Sequence, residues 1–153
     1  MTPDDKSTPE GSTTPQPSTA GRWGAVAARL LMGLMFFVFG LNGFLHFIPE
    51  PKTPMPQGAA DFAGALMKTG FMFQLVAGTQ LLVGALLLLN CFVPLALALI
   101  APIIVGIVTF HIFLAPETLV PGIVVLVLEL YLAWAYRGAF RPMLKLKVAP
   151  GAN

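Results

Sequence analysis

Long apolar stretches alternate with short polar connections along this chain. Four stretches, at residues 25–47, 71–89, 95–114 and 119–136, are almost wholly apolar. Each is close to the roughly 20 residues with which a helix crosses the ~30 Å hydrocarbon layer of a membrane. The pattern therefore predicts an all-α, polytopic membrane protein, folded as a bundle of four transmembrane helices.

The first connection is the longest. Residues 48–70 contain the run PEPKTPMP and then AADFAGALMK, an amphipathic pattern bounded by Gly58 and Gly70. We predict a proline-braced loop followed by one short interfacial helix in this first outer loop. Its simplest interpretation is an ordinary connector between two spans, and the alternative is a lid over a site. The other two connections, residues 90–94 and 115–118, are predicted tight turns.

The pattern divides the chain into three parts. Residues 1–21 are rich in Pro, Ser and Thr and almost lack apolar side chains, so we predict a disordered tail. Residues 22–137 form the predicted four-helix transmembrane domain, and residues 138–153 form a basic C-terminal segment. The apolar run after the tail exceeds the length of a signal peptide's apolar region, so we do not expect cleavage there.

Composition supports a membrane location. Of 153 residues 56% are hydrophobic and only 10% charged, against roughly 25% charged residues in soluble domains. The one cysteine, Cys91, cannot form an intramolecular disulfide or a two-thiol relay. The net charge is +2, but the basic residues stand at span ends, so they indicate topology and we expect no nucleic-acid binding.

The basic residues also predict the orientation. Five of them are expected to anchor the bundle at the membrane surface: Arg22, Arg137, Arg141, Lys145 and Lys147. Lys6 and Arg29 belong to the same side, against Lys52 and Lys68 on the other. Positive-inside weighting then places both termini in the cytoplasm and the long loop outside.

The fourth span carries one carboxylate near its middle, Glu129. Insertion scales give an acid at that depth a cost of about 2.5–3.5 kcal/mol, so Glu129 needs a partner, a proton or both. At helical spacing it shares a face with Gly122, Val125, Ala133 and Tyr136. Because small residues let a neighbouring helix approach, we predict that this face points into the bundle.

Four more polar residues lie in the outer half or near the midplane of the other spans. Asn42 and His46 are four residues apart on helix 1, Gln80 is in helix 2 and His111 is near the end of helix 3. With Glu129 they predict a pocket or proton-handling site in the outer half of the bundle, in which Gln80, Asn42 or His111 holds Glu129.

The alternative is a hydrogen-bonded network that only fixes helix packing, at about 0.6 kcal/mol per bond. Arg29 lies on the opposite face of helix 1, from which it can extend toward the membrane surface, and we do not expect it to be the main partner of Glu129. No residue is assigned a catalytic role.

The two histidines also suggest axial ligation of a b-type haem between helices 1 and 3. No further signature supports this idea, and we expect His46 and His111 to be solvated or bonded to backbone carbonyls instead. No Cys or carboxylate accompanies them at ligand spacing, so no metal site is expected.

Four segments resemble a known family. The runs RLLMGLMFFVFGLNGFLHF, LLVGALLLLN, APIIVGIVTFHIFLAP and VLELYLAWAYRGAFRPML are together similar to the DoxX-like family of small bacterial membrane proteins, over about residues 25–145. The resemblance implies a four-helix bundle in the bacterial cytoplasmic membrane. Relatives include a subunit of a thiosulfate:quinone oxidoreductase and a membrane partner in an oxidant-defence complex. Helix 2 of such proteins often has an acid where this chain has Gln80, which argues against a mechanism with two buried carboxylates.

Three functions are compatible with these features. The first, which the resemblance favours, is an accessory or anchoring subunit that works with a redox protein partner in oxidative or sulfur stress. Its pocket would accept a quinone head group or a small polar solute. The second is a small proton-linked transporter that uses Glu129, for which four spans are few unless the chain forms a homo-oligomer. The third is a structural membrane scaffold without a ligand.

Overall fold

The computed structural model describes residues 19–49 and 54–144, and these ranges are helical with no strand. Within these ranges six helices follow one another: α1 (Thr19–Leu45), α2 (Gln57–Lys68), α3 (Met72–Leu88), α4 (Val93–Phe113), α5 (Leu119–Ala135) and α6 (Arg137–Phe140). Short 3-10 turns at Pro116–Thr118 and Arg141–Leu144 follow α4 and α6. The predicted all-α architecture is confirmed. The predictions for Lys6, Lys52, Lys145, Lys147 and most of the tail concern residues outside the described ranges.

Three helical segments are each long and apolar enough to cross a membrane: Gly21–Leu45 in α1, Val93–Phe113, and Pro116–Ala135, which includes α5. Helix α3 has 17 residues, or about 26 Å, at the short end of the range for a span. Helices α2 and α3 together are long and apolar enough to cross a membrane, but they meet at an angle of 91°. The chain is therefore a multi-pass membrane protein, with three spans among the described residues, or four with α3.

The four long helices form a ring in which each contacts two others. Helix α1 packs against α3 and α5, and α4 packs against the same two. The largest side chains that are fully buried between them are aliphatic: Met32, Val83, Leu87, Leu97, Ile100, Ile104 and Leu132. This core is the interior of the predicted bundle.

The contact between α1 and α3 is the closest in the bundle, because glycines bring the two backbones together. A methyl group built on Gly40 would lie 2.8 Å from the carbonyl oxygen of Ala77. One built on Gly84 would lie 2.6 Å from the Cα of Phe37. Both distances are shorter than any real side chain allows, so α1 and α3 are held at a separation that only glycine permits at these positions.

Two contacts show which helix ends lie together. Gly24, near the start of α1, faces the hydroxyl of Tyr131, near the end of α5, and Arg29 of α1 reaches Leu87 near the end of α3. We call this end of the bundle the basic end, since Arg22 and Arg137 lie there. The opposite end, where α2 lies, is called the loop end.

Helix α2 packs onto the bundle at the loop end. Ala59 is fully buried, and the ring of Phe62 lies 5.7 Å from that of Phe110 in α4. Gly58 faces Leu114, just beyond the end of α4. The predicted short helix in the first loop is confirmed, and it crosses from the start of α3 to the end of α4.

Candidate functional site

A cavity of about 340 Å³ lies inside the bundle, and all four long helices line it. Its lining comes from the last turns of α1 and α4 and the first turns of α3 and α5, so it occupies the loop-end half. Three phenyl rings and three polar side chains define its chemistry: Phe36, Phe39, Phe73, Asn42, Gln80 and His111. The structure thus brings together three of the five predicted site residues.

Asn42 presents a hydrogen-bond donor to this cavity. Its Oδ1 accepts a 2.7 Å hydrogen bond from the backbone N–H of Ile48, and its carbonyl accepts one from the N–H of His46. A backbone N–H can only donate, so this contact fixes which end of the amide is oxygen. The Nδ2 group remains as the donor that Asn42, a cavity-lining residue, can offer.

His111 is held by the turn that follows α4. Its Nδ1 lies 3.0 Å from the hydroxyl oxygen of Thr118, and its ring makes an edge contact with Phe110 at 5.3 Å. These contacts fix the ring plane on a half-buried side chain. Sequence reasoning missed Thr118, although its position seven residues after His111, beyond a predicted turn, is the signal that could have found it.

Gln80 is half-buried on α3 and lines the cavity. Its amide makes no hydrogen bond within the part of the chain that the structure describes. An amide in a mostly apolar cavity costs free energy unless it finds a partner. Gln80 is therefore available to a polar ligand or to water.

Glu129 is buried but lies outside the cavity lining. It is 8% exposed and one helical turn from Val125, which does line the cavity. The predicted inward-facing stripe is confirmed, since Gly122, Val125 and Glu129 are all buried. The predicted hydrogen bonds to Asn42, Gln80 or His111 are not formed, and Oε2 has no partner among the described residues.

His46 does not join the other polar residues. It is exposed, directly follows the last residue of α1, and has a left-handed backbone with φ of 50°. Its side chain is not part of the cavity lining. The structure therefore does not place the two imidazoles around one space, as axial haem ligation would require, and the described residues contain no group of three or more His, Cys, Asp or Glu that could hold a metal.

The position of Arg29 differs from the predicted one. The side chain does not extend to the membrane surface but is only 7% exposed. Its Nη1 donates to the carbonyl of Leu87 near the C-terminal end of α3, which also accepts the backbone N–H of Asn90. A cation at this helix end is also favoured by the helix dipole. Arg29 therefore caps α3 in a way that the sequence pattern did not indicate.

The basic end carries exposed arginines beside exposed tryptophans. Arg22 precedes Trp23, and Arg137 lies over the ring of Trp134 at 4.7 Å while donating to the Trp134 carbonyl at 2.9 Å. Arg141 is exposed as well. Pairs of indole and guanidinium groups are suited to the membrane–water boundary. The anchoring role stays a prediction, and Lys145 and Lys147 lie outside the described residues.

The chain was compared with models of known protein families, with curated proteins and with solved structures, and none of the three comparisons found a match.

Proposed function

We propose that this chain is a DoxX-like accessory subunit of a membrane redox or stress-response system, whose cavity binds a small ligand with a flat apolar body and a polar edge. The observation that carries the proposal is the cavity itself, which joins three phenyl rings to Asn42, Gln80 and His111. Its volume of about 340 Å³ falls in the range of small-molecule sites, roughly 300–1,000 Å³. A quinone ring is one ligand of this kind.

The apolar and polar parts of the lining suit different parts of such a ligand. Phenyl rings stack against flat apolar bodies, whereas the amides of Asn42 and Gln80 can donate hydrogen bonds to oxygen atoms. Few convergent polar groups in a mostly apolar cavity are the usual basis of specificity in ligand sites. Glu129, one turn deeper, is positioned to influence the site without touching the ligand.

We propose the accessory role because the chain has no pair of thiols for electron transfer. Its sequence contains one cysteine, which lies exposed in the turn between α3 and α4, far from the cavity end of the bundle. A single thiol cannot cycle between dithiol and disulfide within one chain. We therefore assign the redox chemistry to a protein partner and the ligand or anchoring site to this subunit, in the bacterial cytoplasmic membrane with its basic end cytoplasmic.

Binding to the purified protein tests the proposal. With the protein in lipid nanodiscs, equilibrium dialysis of decylquinone should show saturable binding, which Gln80→Leu weakens about tenfold because a hydrogen bond is lost in an apolar site. Gln74 is the matched control, since it is an exposed glutamine on the same helix, and Gln74→Leu should bind as the wild type does. Absence of saturable binding by the wild type would reject a quinone site.

The accessory role needs a separate test. Deletion of the chain should sensitise cells to oxidants or to sulfur stress, and the purified chain alone should not reduce quinones with thiosulfate or thiols. Sustained turnover by the isolated chain would contradict the accessory role while leaving the cavity as a substrate site.

One observation supports proton-linked transport as a second function. Glu129 is a buried carboxyl with an unpartnered oxygen, one turn from the cavity-lining Val125, and such carboxyls carry protons in many transporters. Solute uptake into liposomes that is driven by a proton gradient and abolished by Glu129→Gln would favour transport over the accessory role.

A further inference from the structure

We propose that Thr118 holds neutral His111 with its proton on Nδ1, so that the cavity presents the Nε2 lone pair and selects ligands that carry a hydroxyl group, such as phenols and hydroquinones, over their ether or quinone counterparts. This inference rests on the proposed ligand site and specifies its substrate class. The tautomer of His111 is determined by the direction in which the Thr118 hydroxyl points its single hydrogen.

The Thr118 hydroxyl has two neighbours and a single hydrogen. Its oxygen lies 3.1 Å from the carbonyl oxygen of Ala115 and 3.0 Å from Nδ1 of His111. The carbonyl can only accept, so the hydroxyl hydrogen goes to Ala115 whenever that bond forms. Both bonds form together only when Nδ1 carries a hydrogen and donates it to the hydroxyl oxygen. The tautomer with Nδ1–H makes two hydrogen bonds, and the other makes one.

The remaining ring nitrogen then becomes an acceptor. In the neutral Nδ1–H tautomer, Nε2 has a lone pair and no hydrogen. It makes no hydrogen bond within the described residues. Cδ2, the ring atom bonded to Nε2, lies 3.3 Å from where a methyl group on Gly122 would stand, so this ring edge faces α5, and Gly122 also lines the cavity.

The surrounding rings keep this orientation in place. Phe110 meets the imidazole edge to face at 5.3 Å, and Phe62 of α2 packs on Phe110 at 5.7 Å. The imidazole is thus in contact with Thr118 and with Phe110, and Phe110 is in turn packed against Phe62 at a tilt of 46°. A preorganised acceptor loses little entropy when a ligand donates to it.

Asn42, on the α1 side of the cavity, favours a ligand atom that accepts a hydrogen bond. Its Oδ1 already accepts a hydrogen bond from the N–H of Ile48, and its Nδ2 is the donor that it offers to a ligand. A hydroquinone satisfies both walls, because one hydroxyl donates to His111 and the other accepts from Asn42. A quinone carries acceptors alone and leaves the Nε2 lone pair without a partner, which is unfavourable in a buried site.

A pair of redox-inert probes isolates this effect. 4-Decylphenol and 4-decylanisole differ only in that the second replaces the hydroxyl hydrogen with a methyl group. In nanodiscs, the wild type should bind the phenol about 3- to 10-fold more tightly, the size of one net hydrogen bond. His111→Phe should abolish the preference while retaining the shape of the site, so that any purely steric penalty of the methyl group would survive in this variant.

Two further variants complete the test. Thr118→Val removes the hydroxyl that fixes the tautomer and should reduce the preference for the phenol. The matched control is His46→Gln, which alters the exposed imidazole outside the cavity and should keep the full preference. Equal binding of the two probes by the wild type would overturn the inference.

Nitrogen-15 NMR reads the tautomer directly and without any ligand. The chain has two histidines, and His46→Gln leaves the signals of His111 alone. The wild type should show a protonated Nδ1 and an unprotonated Nε2, with the population shifting toward Nε2–H in Thr118→Val. A dominant Nε2–H tautomer in the wild type would refute the inference, whereas failure of both probes to bind would reject the ligand site itself.

Discussion

Replacing Gly84 with alanine should loosen the contact between α1 and α3. The added methyl would lie 2.6 Å from the Cα and 2.8 Å from the Cβ of Phe37, and closer still to the backbone nitrogen of that residue. These are backbone atoms and the first atom of a side chain, so they cannot rotate away. The helices themselves must separate.

The expected change in the free energy of unfolding for Gly84→Ala is the difference between two opposing effects. Carbon atoms in contact prefer a separation of about 3.5–4.0 Å, so α1 and α3 would have to move apart by about 1 Å along part of their length. Overpacking of this kind costs about 1–3 kcal/mol, and alanine returns up to about 1 kcal/mol through its better helix propensity. We expect a net loss of about 1–2 kcal/mol in the free energy of unfolding.

The assay is unfolding in mixed micelles, in which increasing fractions of sodium dodecyl sulfate are added and helicity is followed by circular dichroism. Gly106→Ala is the matched control, because Gly106 lies within α4 and a methyl group there meets nothing within 4 Å. Gly106→Ala should unfold at the same or a higher fraction of sodium dodecyl sulfate than the wild type, and Gly84→Ala at a lower one. Equal midpoints for the two variants would show that the close contact does not hold the helices together.

Three further predictions concern charge and topology. Arg29→Gln should destabilise the bundle by about 1–3 kcal/mol in the same assay, since it leaves a helix-terminal carbonyl without its charged donor. Glu129→Gln should retain stability, because Oε2 has no partner to lose; a fall in stability as large as that of Glu129→Leu would contradict this. In intact cells, Cys91 should not react with an impermeant thiol reagent, because it is predicted to face the cytoplasm. A cysteine introduced by Met55→Cys, in a chain with Cys91→Ser, should react. The opposite pattern would show that the predicted orientation is wrong.

The helices could be predicted because their signals are local. Apolar runs of about 20 residues, interrupted by Pro and Gly at the connections, determine where a chain enters and leaves a membrane. The predicted fourth run, at residues 119–136, differs by one residue from α5 at Leu119–Ala135. Helix α3 is shorter than its predicted run by a residue at each end, where the chain turns toward α2 and into the turn with Cys91.

The side-chain partners could not be predicted because they depend on how the helices are rotated against one another. Periodicity places Asn42 and His46 on one face of helix 1, but α1 ends at Leu45, so His46 no longer follows the helical face. The same dependence on helix rotation explains why the contact between Arg29 and Leu87 was not predicted. Its face carries Gly33, whose added methyl would contact Leu87, and this close approach brings α3 within reach of the guanidinium group.

The buried polar groups therefore fall into two sets with different physical roles. Asn42 and His111 are each tied to the backbone or a turn at the loop end and still present one free hydrogen-bonding atom, which is the arrangement of a ligand site. Arg29 and Glu129 lie toward the basic end and form no ion pair with each other. Burying a carboxyl group without a partner costs free energy, and the described residues supply no partner to Oε2 of Glu129.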